Sequence, residues 1–136
     1  MQHDVVHALG ASLTPDVSPE AAREQLTRIL ESGTFANAPA LSRLLKHLVD
    51  RTIEGAAGQL KEYSIGVDVF DRGSSFDPRT DTIVRVQARR LRAKLNDYYS
   101  THGRYDPVRL EVPPGRYVAV VRRQSVDDEG NRREDR

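Results

Sequence analysis

Asp81-Thr82-Ile83-Val84-Arg85-Val86-Gln87-Ala88-Arg89-Arg90-Leu91-Arg92-Ala93-Lys94-Leu95-Asn96-Asp97-Tyr98-Tyr99 carries the clearest helical period in the chain. Val84, Ala88, Leu91, Leu95 and Tyr98 step by four, three, four and three, which lays one uninterrupted apolar stripe along a helix. With that stripe at zero and each residue turned by 100°, Arg85, Arg89 and Arg92 fall at about 100°, 140° and 80°. Asn96 continues their line, and Thr82 and Val86 lie further round. Burying the stripe therefore turns a row of guanidinium groups outward. Asp81 is placed to cap the helix and Gly103 to end it.

The elements on either side follow from this helix. Downstream the period changes to two: Val108, Leu110 and Val112 alternate with Arg109 and Glu111. Pro113-Pro114-Gly115-Arg116 fits a type II turn, with glycine where φ must be positive, and Tyr117–Val121 is expected as the returning strand. Upstream, residues 71–81 form a linker rich in turn formers. Before it, Leu60–Phe70 fits a helix through Leu60, Tyr63, Val67 and Phe70, and a strand through Ile65, Val67 and Val69. Gly66 weakens both, and the helix is the reading adopted. Pro39 opens another helix, with Asn37 as its expected cap and Leu41, Leu44, Leu45, Leu48, Val49 and Thr52 on one face. Ser18-Pro19-Glu20 starts a further one, carrying Ala22, Leu26, Ile29 and Leu30 and stopped near Gly33.

This gives a mainly α chain with a C-terminal β-hairpin, of the α+β class. The expected organisation is a flexible leader over 1–17, one domain over 18–121 and a disordered charged tail over 122–136. A length of 136 residues suits a single domain.

Bulk composition excludes several function classes. The chain has no cysteine, so it has neither disulfides nor a thiolate metal site. Its apolar runs are far shorter than the roughly 20 residues a membrane span requires. Met1–Gly10 lacks the basic start and apolar run of a secretory signal, and the expected location is the cytoplasm, on the nucleoid. His3 and His7 have i, i+4 spacing but no third ligand nearby, so no metal is expected. No phosphate-binding glycine loop or nucleophile elbow occurs, and neither an enzyme nor a cofactor is expected. The carboxylates Asp77 and Asp81 sit at a turn and a helix start, where they bind backbone amides.

Net charge is +1, but its distribution is uneven. Arg79, Arg85, Arg89, Arg90, Arg92 and Lys94 face a single acid, Asp81, between positions 79 and 94. A helix about 10–12 Å across fits the DNA major groove, and guanidinium groups pair with phosphates and guanine edges. A basic helix face on its own is most often a solvated surface. Here it follows a helix and a turn and precedes a hairpin whose tip carries Arg116, an order that suits a winged helix-turn-helix with an additional N-terminal helix.

The run from Val84 to Leu95, followed by Gly115-Arg116-Tyr117, resembles the recognition helix and wing of OmpR-type response-regulator effector domains. Leu60-Lys61-Glu62-Tyr63 onward and Phe76-Asp77-Pro78 onward resemble a domain found at the N-terminus of various bacterial multidomain regulators. That second resemblance spans about Arg23 to Val121. The four-stranded sheet that opens OmpR-type domains has no counterpart, since two helices stand in its place. No receiver domain is expected ahead of these helices, and no aspartyl-phosphate switch is implied.

The resemblance implies a sequence-specific DNA-binding transcriptional regulator, with a recognition helix over about 81–100 and a wing over about 107–121. It implies that Arg85, Val86 and Arg89 face base edges, with Thr82 near the helix start. Arg79 and Arg92 would grip phosphates. Arg90 would be either a phosphate contact or a surface ion-pair partner, and so would Lys94. Arg116 would reach the flanking minor groove or the backbone. The expected partner is double-stranded DNA, with self-association or a protein partner supplying extra contacts and no membrane involved. Two alternatives stay open: a winged-helix module for protein contacts, and an architectural or recombination accessory protein that bends DNA.

Overall fold

The computed structural model describes residues 13, 14 and 16–124. The helices are α1 (Pro19–Glu31), α2 (Pro39–Ile53), α3 (Glu62–Phe70) and α4 (Ile83–Ser100), with a short 3-10 turn at Ala57–Gln59. The strands β1 (Val108–Glu111) and β2 (Val120–Arg123) form a two-stranded antiparallel hairpin at the C-terminal end. The fold is thus mostly helical, of the α+β class.

Ser18 caps α1 by accepting from the Ala21 amide at 3.0 Å, with Pro19 in the first turn. Its stop is Ser32, whose hydroxyl donates to the Ile29 carbonyl at 2.7 Å; Gly33 lies one residue further on. Asn37 does not cap α2. Pro39 sets the first helical position, which leaves Ala38 in the cap without a side-chain bond. At the other end Gly55 turns left-handed (φ 80°), and the amides of Gly55 and Ala56 return to the carbonyls of Thr52 and Arg51.

The ambiguous segment is helical. Ser64 Oγ accepts from the Lys61 amide at 3.1 Å, and Ile65, Val69 and Phe70 turn to the core. Asp81 serves α4 by accepting from the Ile83 amide at 3.1 Å, although Thr82 occupies the cap position itself. Its other oxygen receives Arg72 Nε at 2.8 Å. That arginine, more than any other cause, holds the Asp81 carboxyl below its ordinary range.

The stripe Val84, Ala88, Leu91, Leu95 and Tyr98 is buried along its whole length, as are the six named positions of α2. α4 packs against α2, α3 and β1, and α1 covers α2 and β1. Gln25 of α1 is buried too. Its amide donates to Tyr99 Oη at 3.2 Å and to Asp106 Oδ2 at 2.8 Å, and Tyr98 Oη donates to the same carboxylate oxygen. Tyr99 Oη donates to the Val108 carbonyl at 3.0 Å and accepts from the Leu110 amide at 2.9 Å. Tyrosine hydroxyls thereby fasten the start of the hairpin to the end of α4.

The hairpin is shorter than its alternation predicts. Val108 pairs with Arg123 and Glu111 with Val120, so residues 112–119 form the loop and Tyr117–Ala119 are not strand. The ladder stops because Arg92 of α4 takes the carbonyls of Val112, Pro113 and Arg116, while Val118 and Ala119 are buried. The turn at its tip forms as expected, with Arg116 N bonded to Pro113 O at 3.4 Å and Gly115 at φ 83°.

The folded region exceeds 18–121 at both ends. Leu13 pairs in parallel with Val121, Thr14 N donates to Val121 O at 3.0 Å, and Val17 is buried. Arg122 and Arg123 belong to β2, and Gln124 bonds the backbone at Asp106 and Pro107. The boundary residues are therefore structural, because the last strand needs a partner on its open edge. The rest of the expected leader and tail, residues 1–12 with His3 and His7, and residues 125–136, lies outside the described residues. Among the described residues no helix is long and apolar enough to cross a membrane.

Candidate nucleic-acid interface

α3 and α4 meet through the 71–82 linker, which is held by a contact the sequence only hints at. Gly66 has no side chain because the Phe76 ring lies against its backbone; a Cβ there would enter the ring. Phe76 also stacks on half-exposed Tyr63, centroids 5.9 Å apart. Asp77 then turns the chain by accepting from the Arg79 amide at 3.0 Å. These contacts bring Pro78 and Glu62 within hydrogen-bond reach of Arg85 in the first turn of α4.

The named arginines meet different fates. Arg79 is exposed, and its guanidinium folds back on Asp77 at 3.1 and 3.2 Å; that bond is the main cause of the lowered Asp77 carboxyl. Arg85 Nη1 donates to Glu62 Oε2 at 3.0 Å, and its Nη2 donates to the Pro78 carbonyl at 3.0 Å. Arg89 and Arg90 are exposed and have no hydrogen bond or ion pair among the described residues. The Arg116 side chain is likewise exposed and unpartnered among them. Thr82 is exposed and Val86 half-buried, both in the N-terminal turns of α4.

Arg92 has a different job from the phosphate grip expected of it. Nε donates to Val112 O at 2.9 Å, and Nη2 donates to Pro113 O and Arg116 O, both at 3.2 Å. A planar guanidinium presents its donors in a fixed fork, which suits it to bridging several carbonyls. The result is a fixed seat for the hairpin loop on α4. Lys94, also named with the basic residues, donates to the Thr34 carbonyl at 3.2 Å and ties α4 to the α1–α2 connection.

Two participants escaped the sequence reading. Glu62 lies 23 positions from Arg85, and no periodicity joins them. Tyr117, in the hairpin loop, lies within electrostatic range of both. Its hydroxyl pKa is raised, first by burial and then by the Glu62 charge, with Arg85 and Arg92 opposing. α3 and the linker therefore both bond Arg85 of α4.

The arrangement offers cationic groups and hydrogen-bond donors at this face, with the Glu62 carboxylate among them. Among the described residues no cluster of three metal-ligating side chains occurs. His47, on α2, is half-buried and its pKa is lowered, first by burial and then by Arg51. His102 stacks on Tyr98 and lies 3.1 Å from Thr34 Oγ1 through Nδ1, a packing role at the end of α4. No protein-family model matches the chain, and no curated protein or solved structure matches it.

Proposed function

We propose that this chain is a sequence-specific DNA-binding transcription regulator built as a winged helix-turn-helix. α3 and α4 supply the helix pair, α4 enters the major groove, and the 112–119 loop is the wing that meets the neighbouring backbone. One observation carries the reading. Arg89 and Arg116 extend unpartnered guanidinium groups from α4 and from the loop that Arg92 fastens to it. Basic groups on two rigidly joined elements match a curved polyanion better than they match open solvent.

The pairing of Arg85 and Arg79 with the protein's own carboxylates weighs against it. Both pairs are partly or largely open to water. Exposed pairs of this kind contribute little, so a phosphate can replace Asp77 at Arg79, while Arg85 keeps further N–H donors beside those its partners take. Arg92 is different: three carbonyls hold it, and it is removed from the contact set. The proposed contacts are then Arg79, Thr82, Arg85, Val86, Arg89, Arg90 and Arg116. One module of this size touches few phosphates, so self-association or a protein partner is part of the proposal.

The test is binding of duplex DNA by fluorescence anisotropy across a salt series. The expected log–log slope is about −4 per module, from about 0.9 per phosphate contacted. The double variant R85A/R89A is expected to lose binding while its melting curve stays cooperative. A slope near zero, or full binding by the double variant, overturns the proposal. Retained capture of an acidic protein by the wild type alone would then favour a protein-contact module.

A further inference from the structure

We infer that Glu62 is a positioning residue that aims the Arg85 guanidinium at a guanine edge, so that one G·C pair in the bound site is read through this pair of side chains. The inference rests on the DNA-binding reading above and names what its central residue recognises.

Phosphate and base-edge contacts make different demands on a cation. A phosphate attracts a cation from many directions, and such contacts set register and affinity without carrying sequence. A base edge requires a donor pair in a set plane, and arginine meets the O6 and N7 acceptors of guanine with two parallel N–H bonds. Arg90 is unpartnered and suits phosphate. Arg85 is not loose. Its Nη1 is anchored to α3 through Glu62 Oε2 and its Nη2 to the linker through the Pro78 carbonyl, both at 3.0 Å.

Two anchors on two nitrogens fix the plane of a rigid fork. Each Nη nitrogen carries two hydrogens, so each keeps one for a ligand. The Glu62 side chain is the more covered of the two, 20% exposed against 43% for Arg85. The shielded carboxylate is therefore the support, and the arginine the part presented. A carboxylate placed merely to favour the α3 N-terminus would need no such register with α4.

The experiment selects preferred duplexes from a randomised pool with the wild-type protein, then compares a selected duplex with a scrambled one. Replacing the critical guanine by 7-deazaguanine, which lacks N7, is expected to weaken wild-type binding about tenfold or more. In E62Q the ratio of selected to scrambled affinity falls by a similar factor, and the 7-deazaguanine penalty largely disappears. R85K, which keeps the charge but loses the fork, gives the same two results and serves if E62Q does not fold.

The inference is overturned if E62Q keeps full discrimination, or if no guanine in the selected site responds to loss of N7. It is also overturned if E62Q binds both duplexes more tightly with a steeper salt dependence, since Glu62 would then be a competitor of DNA. Absence of any wild-type binding instead removes the DNA-binding reading itself, and that result is visible before a variant is made.

Discussion

Gly66 and Phe76 show how one missing side chain shapes a surface elsewhere. In the sequence, a glycine at this position counts against a helix. In the structure it is the place where the linker ring rests on α3. Gly66→Ala improves local helix propensity by up to about 1 kcal/mol. It also forces the ring away, and overpacking of this kind costs about 1–3 kcal/mol. The expected net result is a protein destabilised by about 1–2 kcal/mol in urea unfolding, with faster proteolysis near Gly73-Ser74-Ser75. Unchanged stability and an unaltered linker would mean that the ring is not packed there. The conflict between propensity and fold at Gly66 is resolved only by a residue ten positions later, which no local window weighs.

Elements are joined here by arginine as much as by apolar packing. On the helix wheel Arg92 belongs to the outward row, and at about 80° from the stripe it lies at the row's edge. The hairpin loop reaches that edge and claims it. Removing the fork in R92A is expected to leave α4 intact, because the stripe from Val84 to Tyr98 is untouched. The loop should loosen: hydrogen exchange at 112–119 should rise, and DNA affinity should fall with little change in salt slope. R92K should behave more like R92A than like the wild type, since an ammonium lacks the fixed fork whose Nε and Nη2 reach these carbonyls. A large drop in the slope would instead make Arg92 a phosphate contact. The same bonds explain why the alternation at Tyr117–Val121 overstated β2. Period two records which side chains face inward, and it does not record whether the carbonyls face a strand or a guanidinium.

At the scale of the whole molecule, the hairpin's outer surface carries a pH dependence. Glu111 accepts from Arg122 Nη2 and from Arg109 Nε, both at 2.9 Å. Arg122 first, and Arg109 after it, hold the carboxyl below its ordinary value of 4.5, with partial burial opposing them. A carboxyl depressed in the folded state binds protons more readily when unfolded. Its contribution to stability is therefore complete above about 4.5 and is lost as pH falls toward the folded value. Urea unfolding of the wild type and of E111Q at pH 7 and pH 3 should show the gap between the two proteins narrowing in acid. A gap that does not change would remove the role assigned to this carboxylate.

The core was legible to a large extent because apolar period is a local property: the stripes of α2 and α4 both turned inward as read. The candidate surface was legible as a cluster of arginines. Its wiring was not, since Glu62, Pro78 and the loop carbonyls reach their partners through the fold. Asn37 was misplaced for a smaller reason, as Pro39 left the cap to the residue before it.

Leu13 and Thr14 lie along Val121, within a few residues of Gln124 at the far end of the described chain. The polypeptide thus enters and leaves this body by one doorway. Cargo fused ahead of Leu13 and cargo fused after Gln124 would be held as neighbours, and a short peptide could close the chain into a ring without disturbing the helices.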